Sequence, residues 1–159
     1  VLGWFTPTPM ERLAEMGAME WVERTKERVA ERRWEDARQA LAVSRNFGES
    51  DEHAELGARI ERERESARVF AQIEADIARQ APIETIEERL RALPAESVYR
   101  GLAGAKVRAA KKNTLERLLD SAQRDLDKGR NEAARIKIEG VLKHDVAYPR
   151  AKKMLTDLK

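Results

Sequence analysis

The chain has no cysteine. Disulfides, thiolate metal sites and cysteine nucleophiles are therefore excluded. Histidine is nearly absent, with only His53 and His144, far apart. His53 stands among Asp51, Glu52 and Glu55, a possible mixed oxygen and nitrogen donor set. Acids in the first turn of a helix are already explained by its dipole, so no metal is assigned there. His144 reads as a helix-terminal residue favoured by the same dipole. No phosphate-cradling glycine loop, nucleophile elbow or zinc motif occurs. Carboxylates abound, but on helix surfaces, with no apolar pocket to shift their titration. The chain reads as a non-enzyme with no metal and no cofactor. No apolar run has the length of a membrane span, and the N-terminus lacks the basic start and apolar middle of a signal peptide. A cytoplasmic location is expected, with a periplasmic or membrane-tethered parent left open. Because the chain does not start with Met, it reads as one domain, 1–159, of a longer protein.

What is present is charge and helix formers. Charged residues make up 38% of the chain and aromatics 5%, well away from the usual proportions. The wealth of Ala, Glu, Arg and Leu, against few Val, Thr or Gly, predicts an all-α fold. The net charge of +2 conceals an asymmetry. Residues 1–100 carry 16 basic and 21 acidic side chains, and residues 101–159 carry 15 basic and 8 acidic.

The most informative stretch runs from Leu115 to Tyr148. Leu118, Ala122 and Leu126 recur every fourth residue, and Ala134, Ile138, Val141 and Leu142 also fall at helical spacing. Between them Lys128-Gly129-Arg130-Asn131 supplies a glycine suited to a left-handed helix end, and Asn131 is expected to cap the following helix. This is an αα-hairpin of thirty-four residues, a period shared with tetratricopeptide repeats. Counting from Leu115, Leu118 is fourth, Ala122 eighth, Gly129 fifteenth, Ala134 twentieth and Ile138 twenty-fourth. On these residues the stretch resembles a tetratricopeptide repeat (TPR). Ser121, Asp125, Asn131 and Val146 depart from the usual residues there. Residues 18–50 resemble a second unit, with Trp21 fourth, Thr25 eighth, Trp34 seventeenth, Ala37 twentieth, Leu41 twenty-fourth and Ser44 twenty-seventh. Arg32 stands where the turn glycine is commoner.

The remaining segments read as helices of other kinds. Val1-Leu2-Gly3-Trp4-Phe5 is expected to pack back on the helices, and Thr8-Pro9-Met10-Glu11 is a capping box with proline in the first turn. Residues 51–114 form a degenerate middle. Asp51 to Gln80 reads as one long amphipathic helix, with Arg59 to Glu65 a solvated face carrying Arg59–Glu63 and Glu61–Arg64 pairs. Pro82 starts a short helix holding Ile83, Ile86, Leu90 and Leu93, and Pro94 ends it. From Ala95 onward Val98, Leu102, Ala105 and Ala109 line a helix kept thin by Gly101, Ala103 and Gly104. It either breaks at Asn113-Thr114 or, as preferred here, runs to Lys128. Residues 149–158 make a C-terminal capping helix. The whole is expected to be a TPR-like α-solenoid of antiparallel helix pairs with two longer helices.

The resemblance implies a concave groove, lined by the first helix of each pair, that takes a peptide or a partner's helix. Some members clamp a terminal carboxylate with Lys and Asn, but residues 115–128 offer Arg117 and Arg124 and no Asn. The expected buried stripe on that helix is Leu118, Ala122 and Leu126, joined by Leu115 and Leu119, leaving Arg117, Arg124 and Asp120 toward the groove. Arg117, Arg124, Lys106 and Lys112 are the candidate partner-binding residues, and an acidic peptide or helix is the expected partner. The leading function is a protein–protein adaptor, one module of a larger bacterial scaffold, signalling or secretion-associated protein. A nucleic-acid-binding domain using the basic half is the alternative. The interleaved Asp120, Asp125, Asp127 and Glu132, and only Tyr99 and Tyr148 for stacking, count against it. A structural or dimerisation spacer, or a merely solvated basic face, are the blander readings.

Overall fold

The computed structural model describes Thr6 and residues 8–158; the reading of Val1–Phe5 falls outside them. Among these residues the chain is all-helical, in seven helices: α1 (Pro9–Ala30), α2 (Trp34–Arg45), α3 (Asp51–Ala78), α4 (Ile83–Ala92), α5 (Val98–Asp127), α6 (Asn131–His144) and α7 (Pro149–Asp157). α1 opens on the expected capping box. Thr8 N–H donates to the Glu11 carboxylate at 2.6 Å, and Glu11 N–H donates to Thr8 Oγ1 at 3.2 Å. The ambiguity at Asn113-Thr114 resolves into one continuous helix, since nothing there costs more than ordinary helix propensity. Asn131 is the first residue of α6, not its cap; the cap position is Arg130, without a side-chain hydrogen bond.

Three helix ends share one closure. Arg32, Gln80 and Gly129 have φ of 59°, 56° and 76°. The next residue's N–H reaches back to the helix in each case, Arg33 to Arg28 O, Ala81 to Asp76 O and Arg130 to Asp125 O, at 2.8–2.9 Å. This is the 6→1 bond of a Schellman motif. Glycine takes that conformation without penalty, whereas Arg32 and Gln80 hold a Cβ against the following carbonyl. Arg32→Gly and Gln80→Gly are each expected to raise stability by about 0.5–1 kcal/mol, read as a higher midpoint in urea at unchanged slope. A lowered midpoint in both variants refutes that account.

Each helix packs mainly on its neighbours: α1 on α2, α2 on α3, α3 on α4 and α5, α4 on α5, α5 on α6 and α6 on α7. Three apolar clusters follow that order. Val29, Trp34, Ala37, Leu41 and Ile60 join α1, α2 and α3. Ile73, Ile86, Leu93, Ala103 and Val107 join α3, α4 and α5. Leu115, Leu119, Ala122, Ala134, Ile138, Val141, Ala151 and Met154, with Ile83, join α5, α6 and α7. Tyr99 bridges the first two: its hydroxyl accepts from Trp34 Nε1 at 2.5 Å, and its ring lies 5.3 Å from that of Phe70. Trp21 is half-buried, and Thr25, fully buried, donates to Trp21 O at 2.8 Å.

Two stripes on α5 differ from the expectation. Leu115, Leu119 and Ala122 are the buried apolar residues of its second half, and Leu118 and Leu126 are only partly covered. The packed face is rotated toward Leu119 because α6 and the start of α4 enclose that side. In the first half, Ala103, Gly104 and Val107 are buried, whereas Leu102, Ala105 and Ala109 are exposed. Small and apolar residues spread evenly round this part of the helix leave no single stripe to read.

The departures at Ser121 and Asp125 form a polar seam. Lys137 of α6 donates to Asp125 at 2.6 Å and to Ser121 Oγ at 2.7 Å. Its ammonium holds the Asp125 carboxyl below the ordinary carboxylate range. Asp76 is likewise held low by Arg79, at 2.7 Å, and by Arg89 of α4, at 2.5 Å. The face Arg59–Glu65 is not wholly solvated. Glu61 and Arg64 pair at 3.1 Å as expected. Glu63 instead turns inward, accepting from Ser97 Oγ at 2.8 Å and Val98 N–H at 3.3 Å.

Candidate functional site

α5 is where the partly open clefts and the uncompensated charge meet. One cleft of about 450 Å³ lies between the end of α3, the α3–α4 turn and the middle of α5. A second, of about 370 Å³, continues it past Pro82 and Ile83 toward Leu118. Ile77, Ala81 and Ile86 give the first an apolar wall, and Gln80, Thr114 and Arg117 line both. The site arises because α3 ends at Ala78 and the chain turns through Gln80 before Ile83 starts α4. α4 is short, so the side of α5 that carries Thr114 and Arg117 is left partly open beside the bend.

Arg117 is exposed, its guanidinium touching Thr114 Oγ1 at 3.3 Å. No ion pair holds it among the described residues. Glu116, the other charge on the cleft, is already committed. Tyr148 OH donates to it and so does Arg150, at 2.5 Å, while Arg150 also reaches Asp120 at 2.8 Å. The hydroxyl bond, then Arg150, holds the Glu116 carboxyl below its usual range, and the same bond with burial pushes Tyr148 up to about 12. This cluster clamps α7 to α5 and takes Asp120 away from the groove.

The other sequence-chosen cations are dispersed. Lys106 is bound to Glu74 at 2.8 Å and lies over the Phe70 ring, 5.7 Å from its centre. It is an α3–α5 link. Arg124 is exposed and without an ion pair among the described residues. It is two turns beyond Arg117 on the same line of α5, about 10 Å along the axis. Lys112 is exposed but five residues from Arg117, well over a third of a turn away. Lys111 pairs with Glu87 at 2.9 Å. Geometry therefore sets Arg117 at the cleft with Arg124 further along, and leaves Lys106 and Lys112 apart.

A cleft of about 480 Å³ between α2 and α3 was not legible in the sequence. Leu41 and Ile60 floor it and Arg38 and Arg45 flank it, with the Arg45 guanidinium against Gly57. Arg38 is met by Glu35 at 3.3 Å and Glu61 at 3.7 Å, and Arg45 by Glu49 at 3.9 Å. Its cations are thus already compensated. The only trace in the sequence is the seven-residue spacing of the two arginines.

His53 faces inward: its Nε2 lies 2.6 Å from Ser44 Oγ, and its Nδ1 accepts from Ser50 N–H at 3.0 Å. Among the described residues no His, Cys, Asp and Glu group is placed to hold a metal ion. Tyr99 and Tyr148 are both partly buried, their hydroxyls bonded to Trp34 and Glu116. No described helix is long and apolar enough to cross a membrane. No protein-family model, no curated protein and no solved structure matches the chain.

Proposed function

We propose that this chain is a protein–protein interaction module of TPR-like character, taking an acidic peptide or helix of a partner along α5. The observation that carries the reading is Arg117, a cation with no carboxylate partner among the described residues, set on the rim of an apolar-walled cleft. A guanidinium fork reads a carboxylate in two parallel hydrogen bonds, and the apolar wall of Ile77, Ala81 and Ile86 takes an aliphatic or aromatic anchor beside it. Arg124, along the same line of the helix, meets a second acidic group and steers the encounter. The helical-hairpin spacing at Leu118, Ala122, Gly129, Ala134 and Ile138 adds the family resemblance to this reading.

An array of helical and extended peptides graded in acidity tests it. Peptides with acidic residues around an apolar anchor are expected to bind. Arg117→Glu is expected to weaken them at least tenfold, about 1.4 kcal/mol, and Lys112→Glu to change them little. If Arg117→Glu binds as tightly as the parent while Lys112→Glu does not, the groove lies elsewhere on α5.

A further inference from the structure

Exposed apolar residues gather at the two ends of the helix sequence. Met10, Leu13, Met16 and Met19 on α1 are 62–75% exposed, and Phe47, in the turn after α2, is 41% exposed against Gly17. At the other end stand Ile136 of α6, 63% exposed, and Val146 before α7, 77% exposed. Among the described large hydrophobics only Leu102 is comparably exposed between them. α1 has 22 residues and α2 only 12, so the first turns of α1 overhang the helix they pack on. Exposed apolar residues clustered on such an overhang mark a contact surface.

The two ends differ in charge. Residues 8–30 and 46–55 hold nine carboxylates and four cations, whereas residues 128–158 hold eight cations and four carboxylates. Lys143, Lys152 and Lys153 are exposed and enter no ion pair among the described residues. Lys143 is seven residues from Ile136 and therefore shares its face of α6. Like ends repel and unlike ends attract.

We infer that the α1 end of one copy docks on the α6–α7 end of a second copy, Leu13 and Met16 against Ile136 and Val146, acidic rim against lysines. Such a head-to-tail contact is heterologous: each copy keeps one unused end, so it propagates unless it closes into a ring.

Sedimentation velocity over a concentration series tests this on the full chain. The wild type is expected to grow beyond a dimer at about 0.01 M salt. At about 0.15 M salt, where the screening length shrinks from about 30 Å to about 8 Å, association is expected to weaken at least tenfold. Leu13→Asp/Met16→Asp blocks one end and Ile136→Asp/Lys143→Glu the other. Each blocked variant alone is expected to stay monomeric, and their equal mixture to stop at a dimer with one copy of each. Lys152→Glu/Lys153→Glu, wholly on the surface, repeats the second block without touching an apolar residue. A wild type that stays monomeric throughout, or association indifferent to salt, overturns the inference. So does a variant blocked at the α6–α7 end that still dimerises, because that contact joins like ends.

Discussion

Glu63→Ala is expected to lower stability by about 2–3 kcal/mol. The carboxylate is 6% exposed and receives the Ser97 hydroxyl at 2.8 Å and the Val98 N–H at 3.3 Å. Ser97 caps α5, accepting from Tyr99 N–H at 3.2 Å. Glu63 therefore places a negative charge against the positive end of a thirty-residue helix, where the first N–H groups lack intrahelical partners. Alanine removes the acceptor and leaves Ser97 Oγ–H and Val98 N–H buried beside a void. Glutamine restores an acceptor oxygen without the charge and is expected to recover about half of the loss, roughly 1–1.5 kcal/mol. Thermal melting resolves the series, since 1 kcal/mol moves the midpoint by about 2–4 °C in a chain of this size. Equal midpoints for the parent, Glu63→Ala and Glu63→Gln refute the role.

Ala134→Leu is expected to cost about 1–3 kcal/mol, and Ala37→Leu a similar amount. Both alanines are 0% exposed. Ala134 sits in α6 within the cluster containing Leu119, Ala122 and Ile138, all likewise 0% exposed, so three added carbons have no space to enter. Ala37 holds the corresponding place between α1, α2 and α3. The control is Ile136→Leu, on the outer face of α6 and 63% exposed, which is expected to melt with the parent. Wild-type melting curves for both alanine variants contradict close helix approach at these positions.

The helices were legible because their signals are local. Proline and caps at Thr8, Pro82 and Pro149 start helices where the residues indicate, and Gly129 ends one. Arg32 and Gln80 were harder to read: each takes a glycine-like conformation with no glycine to announce it. The apolar faces were legible where bulky residues alternate with charge, as at Leu41, Ile60 and Ile138, and blurred where the chain is Ala- and Gly-rich around residues 101–110. From sequence alone Glu63 reads as surface and Asp125 as a misfit. Whether a carboxylate is solvated or buried depends on a partner 34 residues away in one case and 12 in the other. At the candidate site, Arg117 was visible as an α5 cation, but the cleft beside it was not. The α3–α4 bend makes that cleft, and no pattern within α5 encodes it.

The neighbour-on-neighbour packing of the helices also decides how this chain finds and leaves its native state. The hairpins α1–α2 and α5–α6 close only short connections, and the entropy lost on closure rises only slowly with loop length. Either hairpin can serve as the nucleus, and a fold rich in such near contacts forms quickly. The Glu63–Ser97 and Trp34–Tyr99 bonds, spanning 34 and 65 positions, close later and lock the two hairpins to the helices between them. Opening runs the other way. Amide exchange is expected to rise from α3 and α5 toward α1 and α7, so a lesion in α1 frays the α1–α2 hairpin and leaves α5–α6 protected.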